Sequence, residues 1–95
     1  MGAGKTDKAL ELFHKSAYQF GYYKSYENLA SIYLLSDKLD ETKAVLDDAL
    51  KLYPNDPKLW YIASLYFEKS GKKEEAQDAN QRYLRLKQKS QGSTR

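Results

Sequence analysis

The sequence has no cysteine, one histidine and two prolines. Without cysteine there is neither a disulfide framework nor a thiolate metal site. That absence is compatible with the cytosol, and a cytoplasmic location is the expectation. The lone histidine, His14, has no second ligand nearby, so it reads as a surface or half-buried residue. A glycine-rich loop in the right context and acids paired in a cleft are also missing. The usual requirements of an enzyme site are unmet, and neither catalytic residue nor metal nor cofactor is expected. No run of about 18 apolar residues exists, so no segment is expected to span a membrane. The first residues lack the apolar core of a secretory signal. A net charge of +3 is a modest basic excess that does not by itself indicate a nucleic-acid partner.

What remains is a single small domain of 95 residues, on the small side for burying a core. Tyrosine is over-represented, with nine copies, and many fall at helix spacing, which suggests that they fill space between helices.

The organising signal is a period. Tyr26-x-x-Leu29-Ala30-x-x-Tyr33 returns 34 residues later as Trp60-x-x-Ala63-Ser64-x-x-Phe67. At the same offset Thr42 answers Ala76, Leu46 answers Asn80 and Ala49 answers Tyr83. A fixed period of this size signals a repeat array. The order of large aromatic, small pair, aromatic and later small residue resembles the tetratricopeptide repeat. The resemblance implies an all-α solenoid: five helices in an antiparallel, right-handed superhelical stack used to bind other proteins, with no catalytic residue.

In chain order, residues 1–5 read as a Gly-rich, disordered tail. Gly4-Lys5-Thr6 lacks the earlier glycine and preceding strand that a phosphate-binding loop needs. Met1-Gly2-x-x-x-Thr6 fits a myristoylation pattern, but a loose or non-native tail explains it as well. Thr6 or Asp7 suits a helix cap. Ala9, Leu10, Phe13 and Ala17 then fall on one face of a helix from Asp7 to about Tyr18. It matches the second helix of a repeat, one residue out of register, so 6–22 reads as an orphan helix without its partner.

Gly21 marks a turn. The repeat 23–56 follows, with helices Tyr23–Ser36 and about Asp40–Leu52. Asp37 or Asp40 caps the second, and Leu39, the Lys43 stem, Leu46, Ala49 and Leu50 point inward. Its acidic outer face, Asp40, Glu41, Asp47 and Asp48, reads as solvated surface. Pro54 stops that helix, and Pro57 opens the next with Asp56 as cap. The repeat 57–89 pairs the helix Pro57–Ser70, ended by Gly71, with Lys73–Lys89. In that last helix Ala76, Ala79, Asn80, Tyr83, Leu84 and Leu86 supply the apolar and small positions. Tyr83 stands where the family has a small residue, and Gln88 where it has proline. Both favour a long closing helix over another repeat, so Lys73–Lys89 reads as a terminal cap. Residues 90–95 read as a disordered tail.

The resemblance places partner contacts on the first helix of each pair. The positions off the packing stripe are Lys24, Glu27, Asn28, Ser31, Leu34 and Leu35, then Lys58, Tyr61, Leu65, Glu68 and Lys69. Leu34, Leu35, Tyr61 and Leu65 would form an apolar patch of the kind that marks partner surfaces, with Tyr61 the best anchor. The plain alternative is that they pack on a neighbouring copy or a missing helix. A subgroup of the family clamps peptide carboxylates with Lys, Asn and Arg. Here Asn28 and Lys58 are suggestive, but Glu27 and Ser31 occupy other clamp places, and Glu27 would repel a carboxylate. After Asp78 there are no acids, while Arg82, Arg85, Lys87, Lys89 and Arg95 accumulate. Cations there complement a helix dipole. The rival reading is a footprint for nucleic acid or an anionic surface, without interleaved exposed aromatics to support it. The expected function is therefore a non-enzymatic adaptor or scaffold for a peptide or helix of a partner protein. The alternatives are the basic surface binder and a structural unit that self-associates. Three or more repeats are usually needed for stability, so the chain is expected to be a fragment or to form a homo-oligomer through its open repeat face.

Overall fold

The breaks at Gly21, Asp37 and Gly71 set the architecture, because each takes a left-handed backbone that ends a helix (φ 67°, 58° and 76°). In the computed structural model these and the Tyr53–Asp56 turn separate five helices: α1 (Gly2–Phe20), α2 (Tyr23–Leu35), α3 (Leu39–Leu52), α4 (Pro57–Lys69) and α5 (Lys73–Gly92). The structure describes residues 2–92, with the side chains of 7–89. Among the described residues there is no strand, and no helix is long and apolar enough to cross a membrane.

The period persists in the backbone. Asp37 N–H donates to Leu34 O at 3.1 Å and Lys38 N–H to Tyr33 O at 2.9 Å. Gly71 N–H repeats the first bond to Glu68 O at 3.1 Å, and Lys72 N–H the second to Phe67 O at 2.8 Å. These paired bonds satisfy the last carbonyls of α2 and α4 in the same way.

Several helix ends differ from the sequence reading. Helix α1 reaches back to Gly2, ahead of Asp7, so Thr6 and Asp7 lie inside the helix rather than at its start, and 2–5 are helical rather than a loose tail. Likewise α5 continues through Gly92; residues 93–95 of the expected tail lie outside the described part. Helix α3 begins after Lys38, with no side-chain cap from Asp37 or Asp40. The Lys38 carbonyl ahead of it accepts twice, from Thr42 N–H at 2.9 Å and from Thr42 Oγ1 at 2.7 Å. Asp40 and Glu41 sit in the first turn, where negative charge meets the positive end of the helix dipole. Pro57 opens α4 as expected, but Asp56 makes no side-chain cap bond.

Each helix packs on the next, and α4 also packs on α2; α1 packs on α2 and reaches α3 through the Tyr18–Asp48 hydrogen bond, and α5 packs on α4. The core runs through the middle of this sequence of contacts: Tyr26, Leu29, Ala30, Val45, Leu46, Ala49, Leu59, Ile62, Ala63 and Tyr66 are buried. Ala17 adds to it from α1, with Leu10 and Phe13 packed alongside, which is the stripe expected there. The small residues at Ala30 and Ala63 let helices approach closely, and Leu29 and Leu59 fill the space without residual exposure. Three inward assignments change. Lys43 lies outside, its ammonium 2.8 Å from Asp47. In α5, Ala76 and Ala79 are buried, but Asn80 and Leu84 are exposed, because no further helix covers that side.

Candidate binding surfaces

The positions expected to line a groove do not share one environment. Lys24, Asn28, Leu35, Lys58, Tyr61, Glu68 and Lys69 are exposed, and Ser31 and Leu65 are half-buried. Leu35, at 81 % exposure, is the most open large apolar side chain on α2, whereas its neighbour Leu34 is buried at 4 %. Leu34 and Glu27 are corrections to the sequence reading: both are buried, because α4 lies alongside α2. Asp56, ahead of α4, meets Glu27 in the first half of α2. Lys69, at the far end of α4, donates to Leu34 O at 3.3 Å and pairs with Asp37 at 2.8 Å. The two helices therefore run side by side in the same direction.

The α4 members gather elsewhere. Tyr61, Leu65 and Glu68 line a cleft of about 550 Å³ between α4 and α5, opposite Lys73, Gln77 and Asn80. None of the α2 positions lines it. Across one period Tyr61 corresponds to Glu27 and Glu68 to Leu34. So the cleft occupies on α4 the place that α4 itself covers on α2. Tyr83 narrows it, since its ring lies 5.2 Å from that of Tyr61. Glu68 and Asn80 stand where the first repeat has Leu34 and Leu46. That exchange of apolar for polar groups suits a face turned to water, as in a closing helix.

Glu27, buried, and Asp56, half-buried, form a carboxyl pair. Burial raises the Glu27 pKa to about 7, aided by the hydrogen bond and charge of Asp56, while Lys58 and Lys24 pull it down. Two ionised carboxylates are acceptors only, so the contact is a hydrogen bond when Glu27 holds a proton. Asp56 Oδ2 is buried without a hydrogen-bond partner of its own, and a proton held between the two carboxyls offers it a donor. No sequence signal marks this pair, because Glu27 looks like any polar position on an exposed helix face.

At the α1–α2 turn, tyrosine rings touch in series. Tyr18 packs edge-on to Tyr26 at 5.3 Å, Tyr26 meets Tyr53 at 6.3 Å, and Tyr53 meets Tyr23 at 5.9 Å. His14 stacks on Tyr18 at 4.6 Å. Tyr18 donates to Asp48 at 2.6 Å, and burial followed by this carboxylate pushes its pKa well up. Tyr53 donates to Gly21 O, which ties the end of α3 to the α1–α2 turn. Part of the space-filling role expected of the tyrosines is met here, although Tyr18, Tyr22, Tyr23 and Tyr61 stay exposed.

The basic residues Arg82, Arg85, Lys87 and Lys89 are exposed along α5. Two of them lie over aromatic rings that are half-buried rather than exposed. The Arg82 guanidinium lies 4.8 Å over the Trp60 ring, and the Lys87 ammonium 5.7 Å over Tyr83. Tyr83 stands four residues before Lys87 on the same helix, whereas Trp60 comes from α4 by tertiary packing, so spacing along α5 does not reveal it. No protein-family model matches the sequence, and no curated protein matches it.

Proposed function

We propose that this chain is a non-enzymatic protein-interaction module of the tetratricopeptide type, built as an α-solenoid, which holds a helix or extended segment of a partner protein. The observation that carries the reading is the 34-residue correspondence: it extends from the side-chain pattern to the hydrogen bonds that end α2 and α4. Sequential packing, with α4 on both α2 and α3, supports it, since each unit of a repeat array contacts only its neighbours.

We assign the partner to Tyr61 and Leu65 at the α4–α5 cleft, beside Glu68, and to the exposed Leu35 on α2, which lies outside that cleft. Exposed apolar groups with polar rims are what a docking helix or strand uses as anchors. Leu34 and Glu27 drop out of the contact set because the fold consumes them.

The test is co-purification from the native host, then binding of the recovered partner to variants. Leu35→Ala, Tyr61→Ala and Leu65→Ala should weaken capture while circular dichroism stays unchanged. If all three retain the partner at wild-type affinity, this surface is not the binding face.

A further inference from the structure

We infer that the pocket between the α3–α4 turn and α5 is an oxyanion site, taking a phosphate monoester or a terminal carboxylate against Arg82 and Arg85. The pocket holds about 180 Å³ and is lined by Pro54, Asn55, Trp60, Arg82, Arg85 and Leu86. It shares no residue with the α4–α5 cleft, so it stands apart from the partner surface proposed above.

Three features point to an anion. First, two arginines line the pocket and no acid does. Among the described residues the ion pairs are Lys43–Asp47 and Lys69–Asp37, so neither arginine is neutralised by a carboxylate. Second, the geometry is held in place. Trp60 Nε1 donates to Pro54 O at 2.7 Å, which fixes the indole, and Arg82 lies over that ring at 4.8 Å. A guanidinium stacked on an aromatic face keeps its in-plane N–H donors free at the edge, the arrangement that matches carboxylate or phosphate oxygens. Third, the helix dipole does not account for these charges. Of the basic residues in α5, the last turn holds Lys89; Arg82 and Arg85 sit further back, where the dipole term has faded. Asn55 offers an amide donor from the turn, and the volume has room for several waters or one oxyanion head.

Trp60 is the one tryptophan of the chain, so its fluorescence reports directly on the site. Purified protein is titrated with inorganic phosphate, with a phosphoserine peptide amidated at its C-terminus, and with an unphosphorylated peptide carrying a free C-terminal carboxylate. Sodium chloride at matched ionic strength is the control. A saturable change in Trp60 emission is expected with phosphate and with at least one peptide, and the tighter peptide identifies the source of the oxyanion. Arg85→Gln should weaken that binding at least fivefold. Arg82→Lys, which keeps charge but loses the planar fork, should also weaken it. Lys89→Gln should leave it unchanged. A response to phosphate equal to that of chloride, or an Arg85→Gln protein that folds and binds as wild type, overturns the assignment.

Discussion

Asp37 and Gly71 occupy the same left-handed position one repeat apart, with φ of 58° and 76°. One is glycine and the other is not, so the two sites test what that backbone conformation costs. A Cβ at Gly71 meets nothing within 4 Å, which leaves conformation as the only obstacle. Gly71→Ala should destabilise the fold by about 1–2 kcal/mol. Asp37→Gly relieves the same strain and loses an exposed ion pair with Lys69, worth about 0–1 kcal/mol, so its net effect should be neutral or stabilising. Urea denaturation of both variants measures this, and a loss on Asp37→Gly larger than on Gly71→Ala would contradict the shared role.

The Glu27–Asp56 pair predicts an unusual pH dependence. The folded pKa of Glu27, about 7, lies above its ordinary value of 4.5. The folded state therefore holds more protons than the unfolded chain between these values. The contribution of this group to stability is complete below about pH 4.5, falls as pH rises towards 7, and is flat beyond. Glu27→Gln cannot ionise, so the variant should gain on the wild type steadily across that window. Parallel pH profiles that never converge or diverge would remove the proton from this pair.

Leu34 and Leu35 are adjacent in sequence and opposite in fate. Leu34→Ala removes a buried side chain and should cost about 2–5 kcal/mol. Leu35→Ala, at a site 81 % exposed, should change stability by less than about 0.5 kcal/mol while weakening partner capture. A large thermal shift from Leu35→Ala would show that it belongs to the core instead.

Trp60 anchors the turn ahead of α4 as well as the pocket beside α5. Replacing it with Phe removes the Nε1 bond to Pro54 O while keeping a ring beneath Arg82. The expected cost is about 0.5–1.5 kcal/mol, read from the midpoint of urea unfolding followed by far-ultraviolet circular dichroism. An unchanged midpoint would mean that the indole bond adds nothing to the fold.

Much of the helical layout was legible in the chain. The apolar period placed the buried faces of α2 and α4, and the breaks at Gly21, Asp37, Pro54 and Gly71 separated the helices. The outer ends were misjudged at Gly2 and Gly92, because composition cues for loose tails compete with helix propagation from a packed neighbour. The groove was only partly legible, because an off-stripe position is free only until another helix covers it.

Local sequence by itself therefore determined where the chain turns and which residues of each helix shun water. Those properties depend on backbone sterics and on periodicity within one helix. Tertiary packing alone decided that α4 buries Glu27 and Leu34, that Glu27 meets Asp56, and that Arg82 lies on Trp60. Such contacts join residues far apart along the chain, and their distances follow from how the helices nest rather than from any spacing in the sequence.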